Sequence, residues 1–174
     1  KAILVCEHKN NFYEFTGSIM KSILISIYLF VDNLFKTKYN PCRDQIVKLS
    51  GKDVFIGRYT YGFESTQIFS WGEKVDVKIG RFCSIAAGLK LFCGGNHSTE
   101  FVSSYPFGKI YKDFLEIPEI KNIVFTNGDI IIGNDVWIGR DVTIMSGITI
   151  GDGCVIAANS HVVKNLDAYG VYGG

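Results

Sequence analysis

A six-residue period dominates the C-terminal half of the chain. Steps of six along this region give only β-branched aliphatic residues, namely Ile132, Ile138, Ile144, Ile150, Ile156 and Val162. The same step recurs upstream at Ile79, Ile85 and Leu91. Neither an α-helix, with 3.6 residues per turn, nor an alternating strand, with a period of two, produces a period of six.

A short strand followed by a corner, repeated many times, does produce this period. Each unit then points one aliphatic side chain inward and turns at the small residue that follows, as at Gly133 or Gly139. Stacked units bury columns of β-branched side chains, which suits parallel strands. The pattern is typical of hexapeptide solenoids and predicts an all-β parallel β-helix over residues 51–174. A change of phase between Ile68 and Ile79 predicts a bulge or loop there.

The repeat is interrupted between Leu91 and Ile132, which predicts an inserted loop over residues 92–131. Loops of this length in compact domains are usually functional, and a rigid scaffold can hold a catalytic group on one. This loop contains His97, one of three histidines in the chain.

Residues 1–50 have no such repeat and form a separate N-terminal segment. Between Ser18 and Lys36, polar residues recur at helical spacing in an otherwise apolar stretch, which predicts a helix. That helix packs against the body or a neighbouring subunit, or it rests on a membrane surface, although its polar face has few cations. The apolar run at 23–31 is too short to span a bilayer, which needs about 20 residues.

Charge and cysteine content limit the kinds of binding partner and the cellular compartment that the sequence favours. The net charge is +1 with no basic block, which argues against nucleic acid as a partner. The five cysteines are an odd number with no C-x-x-C pair, so reduced thiols in a cytoplasmic protein are expected.

Two stretches resemble the hexapeptide-repeat acyltransferases. They are "VKIGRFCSIAAGLKLFCGGNHSTEFVSSYPF" and "GDIIIGNDVWIGRDVTIMSGITIGDGCVIAANSHVVKN". The resemblance is to the xenobiotic acetyltransferase branch, which includes chloramphenicol and streptogramin acetyltransferases and O-acetyltransferases of surface polysaccharides. It runs from about residue 54 to residue 174. It implies a left-handed β-helix, a homotrimer with active sites between subunits, and acetyl-CoA as donor without a metal.

The resemblance makes His97 the general base. An acceptor hydroxyl is a poor nucleophile. A free imidazole has a reference pKa of about 6.5, so histidine is suited to take the hydroxyl proton at working pH. Glu100 stands where the family has an aspartate, so it either orients the imidazole or is solvated. Ser98 replaces a family arginine. Gly94 and Gly95 fit a backbone that turns tightly or comes close to substrate.

Other site residues are carried over by the same match. Trp137 would lie beside the pantetheine arm of acetyl-CoA, or it packs at a subunit contact. The small residues of the cofactor groove and its lysine are Ala157, Ala158, Ser160 and Lys164. Tyr61 and Tyr105 are the candidates for contact with the acceptor, and either could be an ordinary packed aromatic residue.

The function expected from this match is an acetyl-CoA-dependent O-acetyltransferase acting on a carbohydrate or polysaccharide hydroxyl. Chloramphenicol or streptogramin acetylation and amino-sugar N-acetylation are alternatives with the same mechanism. A metal-dependent hydratase on the same solenoid would need three imidazole ligands, yet only His97 and His161 lie in the repeat region. A non-catalytic scaffold would not bind acetyl-CoA. The sequence does not identify the acceptor.

Overall fold

The computed structural model describes residues 39–111, 116 and 118–174, and nearly all regular structure there is extended. A single 3-10 turn at Phe63–Ser65 is the exception within these ranges. The strands are short, and in chain order they are β1 (Gln45–Leu49), β2 (Lys52–Ile56), β3 (Gln67–Phe69), β4 (Val77–Ile79), β5 (Ser84–Ile85), β6 (Lys90–Phe92), β7 (Asn96–His97), β8 (Val124–Phe125), β9 (Ile130–Ile132), β10 (Trp137–Ile138), β11 (Thr143–Ile144), β12 (Thr149–Ile150), β13 (Val155–Ile156), β14 (His161–Val162) and β15 (Val171–Tyr172).

Thirteen of these strands form three sheets that the chain visits in a fixed rotation. The first sheet contains β2, β4, β9 and β12 in parallel, and β1 extends it by pairing antiparallel with β2. The second sheet contains β5, β10, β13 and β15, and the third contains β3, β6, β11 and β14. From β9 to β14, successive strands enter the first, second and third sheets in turn, so these strands pair in parallel. Between β14 and β15 the first sheet is met only by a bridge from Leu166 to Ile150.

The six-residue period sets the register of these sheets. Ile132 lies opposite Ile150, and Ile138 lies opposite Ile156, with the partner in each case eighteen residues further along. One circuit of the three sheets therefore takes three repeat units, and each strand pairs with the strand one circuit away.

The predicted column of aliphatic residues lines a single core. All six residues from Ile132 to Val162 are at most 5% exposed and belong to one buried cluster. Their outward neighbours differ sharply, since Ile131 is 39% exposed beside Ile132 at 2%. The prediction that the sixth positions share one interior is confirmed.

The corners lie later in each unit than predicted. The third residue after five of the six inward aliphatic residues, from Ile132 to Ile156, adopts the left-handed conformation, and these residues are Asp135, Asp141, Gly147, Gly153 and Asn159. Asp, Asn and Gly are the residues that enter this region at least cost. The prediction that the chain turns at the small residue next to the aliphatic one is therefore wrong.

The glycines next to the aliphatic residues serve the stacking of circuits instead. A Cβ placed on Gly80 would run into the carbonyl of Gly133, and one on Gly139 would lie 2.5 Å from the backbone nitrogen of Ala158. At these two glycines, adjacent circuits approach so closely that a side chain would not fit.

Side chains also connect successive circuits where the first sheet ends. The Asp44 carboxylate accepts the Arg58 backbone N–H at 2.8 Å, and it also accepts the Arg81 guanidinium. The Arg81 backbone N–H donates to the Asn134 side chain at 3.0 Å, and the Asn134 N–H donates to Asp152 at 2.6 Å. Each polar side chain thus satisfies a backbone donor one circuit away.

The remaining expectations for the scaffold have mixed outcomes. The chain forms a loop at 70–76, where the phase of the repeat changes, as predicted. Cys83, Cys93 and Cys154 are free and buried, as expected of reduced thiols.

The helix expected between Ser18 and Lys36 lies outside the described residues. β1 falls within the segment assigned to residues 1–50, yet it pairs with the first sheet. Within the described ranges there is no helix of the length and apolar character required to cross a membrane.

Candidate active site

His97 lies at the base of the loop that interrupts the repeat. It belongs to β7, which pairs antiparallel with β8, so the two ends of the 92–131 interval are joined there. The Ser98 N–H extends this ribbon by donating to the Ile123 carbonyl at 2.9 Å. The loop therefore leaves and rejoins the three sheets at one place, between the third sheet and the first.

Buried side chains of the repeat hold this ribbon. The Ser146 hydroxyl, in a residue only 2% exposed, accepts the Asn96 side-chain amide at 3.0 Å and the Asn127 backbone N–H at 3.1 Å. The Thr126 hydroxyl donates to the Cys93 carbonyl at 2.6 Å. Both arms of the loop are thus anchored beside His97.

Gly94 and Gly95, which precede His97, allow the backbone to pack closely against a neighbouring turn. Gly95 has φ 73°, so it supplies the tight turn expected from the sequence. A Cβ on Gly94 would overlap the carboxylate of Glu73, and one on Gly95 would lie 2.6 Å from the ring of Trp71. The close approach made by this pair is therefore to the 70–73 turn of the same chain.

The imidazole of His97 is oriented by a backbone carbonyl. Its Nδ1 lies 2.6 Å from the Ser104 oxygen, and the residue is exposed. A carbonyl oxygen can only accept, so Nδ1 carries the proton in the neutral ring and Nε2 keeps a free lone pair. That arrangement presents a proton acceptor to solvent.

Glu100, which the sequence left either orienting the imidazole or solvated, lies in the loop three residues after His97. Its backbone N–H donates to the Ser98 hydroxyl at 3.2 Å, and its residue is exposed. Across the described residues, no hydrogen bond or ion pair joins its carboxylate to the imidazole, whose Nδ1 is used by Ser104.

Tyr105 follows Ser104 directly, so it lies in the segment that contacts His97. Its ring is 38% exposed and packs against Phe107 with centroids 4.8 Å apart. The backbone of one acceptor candidate therefore adjoins the residue that contacts the imidazole.

Tyr61 and Trp137 lie together on the outer face of the second sheet. Tyr61 bridges to Ser84, and Ser84 pairs with Trp137, so the small Ser84 side chain separates the two aromatic residues. Tyr61 is 62% exposed and Trp137 58% exposed. Strands lie about 4.8 Å apart, so the two aromatic residues are about 10 Å apart on one accessible face.

The small residues expected in the cofactor groove follow the same sheet. Ala157 and Ala158 come directly after β13 and are exposed, and Ala158 packs over Gly139, two residues beyond Trp137. Ser160 is only 3% exposed, and its hydroxyl donates to the Ala157 carbonyl at 2.7 Å. The Ser160 hydroxyl is thus used inside the turn.

Lys164 lies at another corner. It follows β14 as Ser146 follows β11, one circuit further along, and it is exposed. It therefore lies on the side of the molecule where the loop of His97 is anchored. It also borders a small cleft of about 100 Å³ that contains Ser160 and Tyr172.

One chain thus holds the predicted site residues in two groups. His97, Tyr105 and Lys164 lie between the third and first sheets, whereas Tyr61 and Trp137 lie on the second. The described part of the chain also contains no cluster of three or more His, Cys, Asp or Glu side chains able to hold a metal.

Sequence reasoning missed three residues that support His97. Ser104 acts through its carbonyl, for which no side-chain pattern exists. Ser146 and Glu73 occupy corner or loop positions of the repeat where many residue types occur. Only the glycine pair indicated that another group approaches closely at this point.

Comparison with known proteins places the repeat in a family. The family described as bacterial transferase hexapeptide (six repeats) matches residues 129–164. A protein of Lysinibacillus sphaericus named "Probable macrolide acetyltransferase" is 48% identical over 98 residues, which cover 55% of this chain and 54% of that protein. A chloramphenicol acetyltransferase of Escherichia coli is 34% identical over 143 residues, which cover 73% of this chain and 66% of that protein.

Among solved structures, the polySia-specific acetyltransferase NeuO is similar at 25% identity and a TM-score of 0.47, over 67% of this chain and 46% of that one. The chain spans between about half and two thirds of the length of the curated relatives that it matches. Its repeat at residues 129–164 is similar to the bacterial transferase hexapeptide family, and the two curated proteins that it resembles over part of their length are named as acetyltransferases.

Proposed function

We propose that this protein is an acetyl-CoA-dependent O-acetyltransferase in which His97 is the general base. The chain would form a left-handed parallel β-helix and act as a homotrimer, with each active site shared between two subunits. The observation that carries the proposal is the hydrogen bond from His97 Nδ1 to the Ser104 carbonyl. In the neutral ring, this hydrogen bond leaves Nε2 unprotonated and accessible. The backbone on both sides of His97 is anchored by hydrogen bonds.

His97 would act on the acceptor through Nε2. As the hydroxyl oxygen attacks the thioester carbonyl of the donor, Nε2 takes the hydroxyl proton and then returns it to the departing thiol. The Ser104 carbonyl stabilises the transient positive charge on the ring because it accepts from Nδ1–H throughout. No covalent intermediate on the enzyme is needed.

The separation of the two residue groups supports a site between subunits. The donor face with Trp137 and the loop with His97 lie on different sides of one chain, so a second chain is needed to bring them together. In such an assembly, the loop of one subunit would reach the second sheet of its neighbour, with Tyr61 and Tyr105 bordering the acceptor.

The residues on the donor side fit acetyl-CoA. An exposed indole beside the exposed Ala157 and Ala158 provides an apolar wall with little steric obstruction for a pantetheine arm. Lys164, which lies on the loop side of the chain rather than on the second sheet, would meet a phosphate of CoA as a point charge. Acetyl-CoA as donor favours a cytoplasmic location.

Two acceptor classes follow from different observations. The carbohydrate hydroxyl is the expectation from the sequence. The two curated relatives are named for macrolides and chloramphenicol, which favours an antibiotic hydroxyl as the second candidate. Both classes require the same base and donor.

The test is release of free CoA thiol from acetyl-CoA in the presence of macrolides, chloramphenicol, streptogramins and saccharides. Replacing His97 by alanine should lower turnover by roughly 10²–10⁴. His161→Ala is the matched control, because this exposed histidine of β14 has no assigned role. Undiminished turnover in His97→Ala would exclude the base assignment.

The shared site has its own readout in mixed assemblies. Co-refolding His97→Ala chains with Trp137→Ala chains should restore activity, since some interfaces then combine an intact loop with an intact donor face. Failure of any mixture to exceed the separate variants would place all site residues in one subunit.

A further inference from the structure

One carboxylate outside the described site connects two turns next to His97. Glu73 accepts the Trp71 backbone N–H through Oε2 at 2.7 Å and the Gly95 backbone N–H through Oε1 at 3.2 Å. Ser70 donates to it as well, at 3.3 Å. We propose that Glu73 is a positioning residue that fixes the direction of the His97 imidazole, and this inference rests on the proposed role of His97 as base.

The packing around Glu73 makes this contact specific. The space that a Cβ on Gly94 would need is filled by the Glu73 side chain, and the space beside Gly95 is filled by the Trp71 ring. Trp71 in turn lies 6.4 Å from the Phe92 ring, centroid to centroid. The backbone that enters β7 is therefore confined by Glu73 and Trp71, two residues before His97.

The carboxylate is suited to hold these donors in its charged form. Partial burial raises the pKa of Glu73, but the backbone N–H groups of Trp71, Glu73 and Gly95 and the Ser70 hydroxyl outweigh it and hold the pKa below its usual range. A charged carboxylate offers only acceptors and forms stronger hydrogen bonds than a neutral amide would.

Three contacts together define the position of His97. Ser104 holds the ring at Nδ1, Ser146 holds the Asn96 side chain, and Glu73 holds the Gly95 backbone. The first two act on the ring and on the loop side, whereas Glu73 joins the preceding turn to the 70–73 segment by a hydrogen bond, beside the packing of Trp71 on Gly95. Without Glu73, the peptide planes before His97 can rotate, and the imidazole then leaves the Ser104 carbonyl.

The experiment compares Glu73→Ala and Glu73→Gln with the wild type, in the full-length protein. Glu64→Gln is the control, since Glu64 is an exposed glutamate of the 3-10 turn. The first readout is the ¹⁵N spectrum of the histidine rings, with the His97 signal assigned by its loss in His97→Ala. We expect predominantly Nδ1–H in the wild type and in Glu64→Gln, a mixture of tautomers in Glu73→Ala, and an intermediate spectrum in Glu73→Gln.

The second readout is steady-state kinetics. Displacement of a catalytic group by about 1 Å costs up to about 10²-fold in rate, so we expect kcat of Glu73→Ala to fall by about 10–10²-fold. KM for acetyl-CoA should stay unchanged, because the donor face lies on the second sheet. A purely structural role would lower the fraction of folded enzyme and the melting temperature without changing the tautomer.

These outcomes separate the inference from the proposed function. A wild-type His97 spectrum and wild-type kcat in Glu73→Ala would overturn the positioning role. If wild-type protein has no transferase activity, the proposed function fails, while the ring spectrum still decides whether Glu73 orients His97. Loss of the fold in both Glu73 variants would assign the residue to stability alone.

Discussion

Two adjacent isoleucines provide a direct test of the inward and outward faces of the repeat. Ile131 and Ile132 are consecutive in β9, but Ile132 is 2% exposed and Ile131 is 39% exposed. Replacing isoleucine by alanine removes three carbon atoms, each worth about 0.8 kcal/mol when buried. For Ile132 this gives about 2.4 kcal/mol, and the cavity left between sheets raises the expected loss to about 3–5 kcal/mol.

The same substitution at Ile131 should cost less than about 1.5 kcal/mol, because part of its side chain already contacts water and no closed cavity forms. The change in intrinsic β-propensity is common to both variants and cancels in their difference. The assay is urea unfolding at one fixed protein concentration, with equal m values required for the comparison. Equal losses at the two positions would refute the placement of the sixth positions in a shared interior.

Two further predictions concern the loop anchor and acid stability. Ser146→Ala removes the acceptor for the Asn96 side chain and the Asn127 backbone N–H. The free energy of unfolding should fall by about 1–3 kcal/mol, and hydrogen exchange of the Asn127 amide should become faster. Unchanged exchange would show that the hydroxyl does not anchor the loop. The pKa of Asp44 is lowered from 3.8 to about 2, mainly by the hydrogen bond from the Arg81 guanidinium and also by that from the Arg58 backbone N–H. The contribution of the Asp44 carboxylate to stability is therefore present above pH 3.8 and is lost as the pH falls through about 2. In acid unfolding, the difference in stability between wild type and Asp44→Asn should shrink across that range. A constant difference would contradict this prediction.

The sequence predicted the core because core positions in a repeat obey one simple rule. Every sixth residue must be apolar, and Ile144, for example, satisfies it with 0% exposure. The corners were harder to place, because Asp135, Asp141 and Asn159 enter the left-handed region two residues after the position where the turn was expected. Asp and Asn are also common throughout exposed loops, so their presence alone does not locate the turn.

The candidate site was predictable only where a side chain carries the chemistry. His97 stands out as an imidazole in a long insertion, and the structure gives it an ordered Nδ1 contact. The atom that makes this contact is the backbone oxygen of Ser104, seven residues away, and sequence spacing does not predict such an approach. Likewise, Ser160 matches a groove position by sequence, yet its hydroxyl is buried and bonded to Ala157.

The position of the loop within the circuit connects stability and function. The interval 92–131 leaves the repeat between the third and first sheets, and the register resumes at β9 as if nothing had been inserted, since Ile79 pairs with Ile132. The register of the first sheet is therefore kept although the chain carries the loop, and next to His97 the loop buries Ile123, which lies outside the main core cluster. The loop is held there by single side chains, Ser146 and Glu73, whose removal should change the geometry of the imidazole more than the stability of the scaffold.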